Sequence, residues 1–194
     1  PIIARDAALG GGSAPEAPLH LIWAGSFTPL KGAHHVIEAW RKETLGRHAR
    51  LTVFGSVGLP ARVLDPRPDG IEFRGSVPRG ELLAALPQAD ALLFPTLADG
   101  FGMVATEAWS RGVPVLTTPC AGAADLVRTG ENGRIFAAGS VAAISETVHW
   151  CLAHRAQLRA MREAALATAA NWQWSDYRRE LAAILQRAGL FSPR

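Results

Sequence analysis

The stretch ADALLFPTLADGFGMVATEAW, Ala89 to Trp109, decides the fold. Its first part, ADALLFPT, is a short and nearly continuous apolar run, which predicts a strand buried on both faces. The later part, GMVATEAWSRG, predicts a helix, whereas the Gly-Phe-Gly between the two parts is poor helix material. Asp99 and Glu107 therefore flank a strand-to-helix turn, a place where α/β proteins bind ligands.

The same alternation of apolar strands and helices extends over the rest of the chain. The other predicted strands are LHLIWAG, RLTVFGS, GIEFRGSV, GVPVLTT and GRIFA, and three further helices close the chain, SVAAISETVHWCLAH, RAQLRAMREAALATAA and SDYRRELAAILQRAG. Continuous apolar strands that alternate with helices indicate a parallel sheet covered on both faces. The sequence therefore predicts an α/β fold, a doubly wound, Rossmann-like parallel sheet of about six strands with extra C-terminal helices.

Length and composition limit the class of protein. The 194 residues, 48% hydrophobic and 19% charged, suit one globular domain. No apolar run approaches the roughly 20 residues that a membrane span needs. Residues 1–18 are rich in Gly and Pro and aperiodic, which predicts a linker or tail ahead of a domain at 19–194. Because the chain starts at Pro1 rather than Met, we expect a processed chain or a fragment.

The charged, thiol and imidazole groups form no recognisable site of their own. The net charge is +3, but the basic residues are dispersed, so a solvated surface is favoured and no nucleic-acid partner is expected. Cys120 and Cys151 lack a CxxC spacing, which favours structural thiols in a reducing compartment. No histidine pair has the spacing that places two ligands on one helical face, so no metal site is predicted. These pairs are His34 with His35 and His149 with His154.

The loop GSFTPLKG, Gly25 to Gly32, follows the first predicted strand. Gly25 lets backbone come close to a ligand, Ser26 and Thr28 offer hydroxyls, and Lys31 places an ammonium at the start of a helix. Backbone amides at a helix N-terminus together with a lysine make a phosphate site. The alternative is a loop whose lysine is merely solvated, and the loop alone does not decide between the two.

The segment DGFGMVATE offers a second anion site with a carboxylate on each side. Gly100 and Gly102 let amides at the start of a helix approach a bound oxygen. Carboxylates repel phosphate, so Asp99 and Glu107 suit hydroxyl groups, since one carboxylate accepts two hydrogens from a vicinal diol. The arrangement fits a sugar, a diphosphate and a ribose. The alternatives are a helix N-cap for Asp99 and a surface glutamate for Glu107.

Four segments together resemble a known family. They are GSFTPLKGAHHVIEAW, FRGSVPRGELLAAL, ADALLFPTLADGFGMVATEAWSRGVPVLTT and ADLVRTGENGRIF, and their order and spacing resemble the donor-binding C-terminal domain of group 1 glycosyltransferases. Members of this family are retaining, nucleotide-sugar-dependent enzymes of the GT-B fold. The resemblance runs from about Leu19 to the end, and the pair of acids eight residues apart around GFG is its most specific part. Before the resemblance is considered, FRGSVP is better explained as a plain connecting turn.

The resemblance implies roles for individual residues. The catalytic roles would fall to three residues. Lys31 would pair with the donor diphosphate, Asp99 would bind hydroxyls of the transferred sugar, and Glu107 would bind the ribose diol. Val77 would contact the base through its backbone, and the amides of residues 101–104 would hold sugar hydroxyls and phosphate. The full set of donor-binding residues implied is Gly25, Ser26, Lys31, Gly32, Val77, Asp99, Gly100, Phe101, Gly102, Met103, Val104 and Glu107.

Two positions depart from the family pattern. Asp99 stands where the family usually has glutamate, one methylene longer, which puts the sugar contacts in question. Ser26 stands where many members carry an arginine, which removes one cation from the diphosphate site. These departures favour the alternative of a non-catalytic nucleotide-sugar-binding module. A GT-B-fold epimerase or phosphorylase is a further alternative.

The resemblance predicts the donor half of a cytoplasmic hexosyltransferase in glycan or polysaccharide biosynthesis. Since no DxD motif is present, no cofactor and no metal are expected to be obligatory. The acceptor would bind to an N-terminal domain that this chain lacks, so we expect the chain to be inactive alone. Any contact with the inner face of a membrane would reside in that missing half. The base, the sugar, the acceptor and the oligomeric state are left open.

Overall fold

Six parallel strands form one sheet in this computed structural model, which describes residues 12, 14, 16–171 and 174–190. The strands are Leu19–Ala24 (β1), Ala49–Phe54 (β2), Ile71–Gly75 (β3), Ala91–Phe94 (β4), Val115–Thr117 (β5) and Gly133–Ile135 (β6). Their order across the sheet is β3-β2-β1-β4-β5-β6, and every neighbouring pair is parallel. The predicted fold class is confirmed. Most of the predicted linker at 1–18 lies outside the described residues.

Helices cover both faces of the sheet. They are Ala33–Lys42 (α1), Ala61–Leu64 (α2), Arg79–Ala85 (α3), Met103–Trp109 (α4), Val141–Ala153 (α5), Arg155–Asn171 (α6) and Trp174–Arg187 (α7). Strand β1 is buried along its whole length, and its alternate side chains enter two apolar clusters. Leu21 and Trp23 pack with α1 and α5, whereas Ile22 and Ala24 pack with α4 and α6. This two-sided burial explains the unbroken apolar run in the sequence.

One predicted helix has a different form. The segment AGAADLVRTG contains a 3-10 turn, Gly122–Leu126, rather than an α-helix. Its first residues are held from outside, because the Ala123 amide donates to the Phe101 carbonyl at 2.7 Å and Ala121 forms a bridge with Asp99. These contacts tie the turn to the loop that follows β4.

The strand order places a crevice at the carboxyl ends of β1 and β4. The chain runs outward from β1 through β2 to β3 on one side, and from β4 through β5 to β6 on the other. Loops that follow two adjacent strands of this kind diverge, and open sheets bind ligands at that switch point. The loop 25–32 and the start of the segment 99–107, both singled out in the sequence, therefore lie side by side.

The C-terminal helix α7 presents apolar side chains to solvent. Leu181 is 39% exposed and Ile184 is 52% exposed, three residues apart on the helix.

No helix in the described part of the chain is both long enough and apolar enough to span a membrane.

Candidate functional site

A cleft of about 180 Å³ lies between the two loops, at the switch point of the sheet. Its lining residues are Trp23, Ala24, Gly25, Ser26, Lys31, Phe94, Asp99, Gly102, Met103 and Val104. Both predicted loops contribute to it. The structure therefore brings the predicted lysine, the first acid and the start of α4 into one site.

Lys31 and Asp99 form an ion pair across the cleft. The Lys31 ammonium nitrogen lies 2.7 Å from Oδ2 of Asp99 and also donates to the Ala98 carbonyl at 2.9 Å. The other carboxylate oxygen of Asp99 accepts the Phe101 amide at 3.2 Å. Gly102, and not Asp99, is the residue that precedes α4. The solvated-lysine and N-cap alternatives are therefore both wrong for this structure.

Two glycines allow the loops to pack against the end of β4. Gly102 has φ 84°, and a Cβ atom there would lie 2.6 Å from Cε1 of Phe94. Gly32 has φ 80°, and a Cβ atom there would overlap the carbonyl oxygen of Pro95. Side chains other than hydrogen are disfavoured at such left-handed positions. Gly32 thus holds the first loop against the second and does not line the cleft.

Several backbone amides of the first loop donate to neighbouring carbonyls, whereas within the described part of the chain those at the start of α4 do not. In the first loop the amides are used internally: Gly25 donates to Phe54 at 2.8 Å, Lys31 and Ala33 donate to Thr28 at 3.1 Å, and Gly32 donates to Pro29 at 2.9 Å. A 3-10 turn at 29–31 precedes α1, and the amides of Gly25 and Gly32 are used within the protein. The contribution of the start of α1 to a ligand site stays a prediction. Among the described residues, the amides of Gly102, Met103 and Val104 have no acceptor.

Glu107 lies outside the cleft lining and pairs with a residue that the sequence argument missed. Its Oε1 accepts a hydrogen bond from Nε of Arg79 at 2.7 Å. Arg79 is exposed and begins α3, two residues after Val77, so the pair joins α4 to the segment predicted to meet the base. Glu107 is half-buried, which does not fit a free surface glutamate. No local pattern links these residues, because the path of α3 brings them together.

The remaining predicted residues flank the cleft. Val77 and Phe101 are partly buried against the apolar cluster that includes Phe94. A Cβ atom at Gly100 would meet nothing within 4 Å, so space beside that backbone is open. Neither Val77, Gly100 nor Phe101 lines the cleft, and their contacts with a ligand stay predictions.

Three lining residues were predicted only as parts of buried strands: Trp23, Ala24 and Phe94. They are the last residues of β1 and β4, so they lie at the floor of the crevice. The Trp23 indole N–H donates to the Gly25 carbonyl at 3.0 Å, which fixes the start of the first loop. Their place at the carboxyl ends of adjacent strands is the signal that could have found them.

Comparisons with known proteins agree with this geometry. Residues 18–154 match the protein family described as "Glycosyl transferases group 1". A curated relative, D-inositol 3-phosphate glycosyltransferase 1 of Catenulispora acidiphila, is 28% identical over 200 residues, which cover 95% of this chain and 48% of the relative. The chain thus spans about half the length of that relative.

Solved structures share the fold at low sequence identity. The C-terminal domain of LpcC, a glycosyl transferase group 1 family protein from Francisella tularensis, has a TM-score of 0.67 at 18% identity over 80% of this chain and 87% of that one. Anabaena Alr3699/HepE in complex with UDP-glucose has a TM-score of 0.69 at 19% identity over 89% of this chain and 50% of that one. This chain belongs to the group 1 glycosyltransferases, and its fold is that of a GT-B C-terminal domain.

Proposed function

We propose that this chain is the donor-binding half of a retaining glycosyltransferase and that the cleft between β1 and β4 binds a nucleoside-diphosphate sugar. The observation that carries the proposal is the convergence of three kinds of group on one cleft. These are the Lys31 ammonium, the Asp99 carboxylate and the free amides at the start of α4. A cation and free N–H groups suit phosphate, whereas a carboxylate suits hydroxyl hydrogens.

Each part of the donor has a place in this assignment. The diphosphate binds to the Lys31 ammonium and to the amides of Met103 and Val104. These groups would stabilise the charge that develops on the leaving nucleoside diphosphate. Sugar hydroxyls donate to Asp99. The ribose diol donates to Glu107, and the base lies toward the backbone near Val77. None of these contacts calls for a metal ion, so we expect no obligatory cofactor.

The acceptor and the rest of the reaction belong to the full-length protein. The chain spans about half of its curated relative, and the exposed apolar face of α7 fits a surface that an N-terminal acceptor domain covers. We place the full-length protein in the cytoplasm, as a hexosyltransferase of glycan or polysaccharide synthesis. The HepE structure holds UDP-glucose and the curated relative is named for D-inositol 3-phosphate. UDP-glucose is therefore the first donor to test, and no acceptor is assigned.

Calorimetric titration of UDP, GDP, ADP and UDP-glucose into the chain tests the proposal. We expect one nucleotide to bind, with unchanged affinity in EDTA. Lys31→Ala removes a charge-assisted hydrogen bond and should weaken binding about tenfold or more. Lys42, exposed at the end of α1, is the only other lysine of the chain, so Lys42→Ala is a matched control with no expected effect. Equal losses in both variants, or no binding of any nucleotide, would contradict the proposal.

A further inference from the structure

A second and larger cavity opens at the opposite edge of the sheet, where β2 and β3 begin. Its volume is about 580 Å³, against about 180 Å³ for the cleft at the carboxyl ends. Small-molecule sites typically occupy roughly 300–1,000 Å³. A strand of six residues spans about 20 Å, so a ligand in this cavity is remote from the cleft of the donor.

Charged groups of both signs line this cavity without pairing with one another. They are the guanidinium groups of Arg41, Arg47 and Arg67 and the carboxylates of Asp65 and Asp69. Within the described residues no ion pair joins any of them, although Arg74 and Glu72 pair nearby at 2.9 Å. Arg41 donates to a backbone carbonyl and Arg67 lies over the Phe73 ring. The side chains of Arg47, Asp65 and Asp69 make no hydrogen bond or ion pair among the described residues, so they are available to a ligand that presents both kinds of partner.

Trp40 adds a buried polar group that has no partner. It is 1% exposed and forms part of the cavity wall, and its indole N–H has no acceptor among the described residues. A buried donor that is left unsatisfied is destabilising, and such groups are rare in folded proteins. The nitrogen is not accessible from the cavity, so Trp40 contributes to the wall and not a hydrogen bond to a ligand.

The walls of the cavity are held in place without a ligand. A Cβ atom at Gly46 would overlap the carbonyl oxygen of Asp69, and one at Gly70 would lie 2.7 Å from Cα of Gly46. The turn before β2 and the segment before β3 are thus in direct backbone contact. Arg41 donates to the Pro66 carbonyl through Nε at 3.2 Å and Nη2 at 2.6 Å. Because these contacts fix the wall, a ligand would meet a preformed site.

We propose that this cavity is an accessory binding site for a sugar phosphate. Guanidinium groups bind phosphate oxygens, and carboxylates accept hydrogens from sugar hydroxyls. Inorganic phosphate would leave both carboxylates without a partner and would be repelled by them. A neutral sugar would leave the positive charges of the arginines without a negative partner. A sugar phosphate satisfies both sets, and the site lies apart from the donor cleft.

Titration of glucose 6-phosphate, glucose and inorganic phosphate into the chain tests this site. Glucose 6-phosphate should bind at least tenfold more tightly than either of the other two. Arg47→Gln should weaken it about tenfold, and the side chain of Arg47 makes no hydrogen bond or ion pair to other described residues, so its loss should not affect folding. Arg62→Gln is the matched control, because Arg62 is exposed in α2 and does not line the cavity.

Three results would overturn the proposal. The first is no saturable binding of glucose 6-phosphate at millimolar concentration. The second is binding of inorganic phosphate that is as tight as binding of glucose 6-phosphate, because the sugar would then add nothing to the affinity. The third is loss of glucose 6-phosphate binding in Lys31→Ala, which would place it in the donor cleft. Unchanged binding of glucose 6-phosphate in Lys31→Ala supports a site separate from the donor cleft, whether or not nucleotides bind to that cleft.

Discussion

Replacing Asp99 by asparagine should strengthen the binding of a free nucleoside diphosphate. The Lys31 ammonium lies 2.7 Å from Oδ2 of Asp99, so a phosphate must compete with this carboxylate for the lysine. Asparagine keeps an oxygen at Oδ1, which still accepts the Phe101 amide and so preserves the loop. The substitution therefore removes the charge and the oxygen that accepts from Lys31, and keeps the hydrogen bond that shapes the loop.

The size of the effect follows from the exposure of the pair. The two side chains are 25% and 23% exposed, so their attraction is close to that of a surface ion pair, about 0.5–1 kcal/mol. Freeing Lys31 should tighten the nucleoside diphosphate by about two- to fivefold. The nucleotide sugar loses its hydroxyl contacts to the carboxylate, about 1.5–3 kcal/mol, so its affinity should fall. The two ligands respond in opposite directions.

Calorimetry of both ligands with the wild-type chain, Asp99→Asn and Asp99→Glu measures this difference. Asp99→Glu restores the longer side chain and keeps the charge, so it should leave the free nucleoside diphosphate within about twofold of the wild-type affinity. If Asp99→Asn binds the nucleoside diphosphate more weakly than the wild type, the carboxylate orients Lys31 and does not compete with phosphate. That result would refute the reasoning.

Three further predictions concern stability and reactivity. Gly32→Ala should destabilise the fold by about 2 kcal/mol or more in denaturant unfolding, since its φ is 80° and Pro95 blocks a Cβ, whereas Gly80→Ala, with open space, should not. Burial lowers the pKa of His20, so the unfolded state binds more protons than the folded state near and below about pH 6.5. The Tm should therefore fall between pH 7.5 and pH 5.5, and an unchanged Tm would contradict this. Burial raises the pKa of the Cys151 thiol to about 12, so a thiol reagent at pH 8 should label Cys120 rapidly and Cys151 only after unfolding; rapid labelling of both would be inconsistent.

The sheet was predictable because its strands are buried on both faces. The unbroken apolar runs of β1 and β4 identify such strands, and the rule that ligands lie beyond their carboxyl ends identifies the loops. The meeting of Lys31 with one of the two acids follows from that rule. These features depend on local composition and on the order of elements.

Contacts between distant segments were not predictable from the sequence. The 3-10 turn at 29–31 involves the amides of Lys31 and Gly32, and it packs where Gly32 meets Pro95. The Arg79–Glu107 pair joins residues far apart in the chain, because α3 crosses from β3 toward β4. The second cavity likewise forms between segments that only the fold brings together.

The most direct test of the donor-site assignment is to map nucleotide binding on the amide NMR spectrum of the isotopically labelled chain. With the nucleotide that binds most tightly, we predict chemical-shift changes at Lys31, at residues 99–104 and at Glu107, with no change around Trp40 and Arg47. Shifts confined to the Trp40 and Arg47 region, or scattered weakly over the surface, would contradict the assignment of the cleft between β1 and β4 as the donor site.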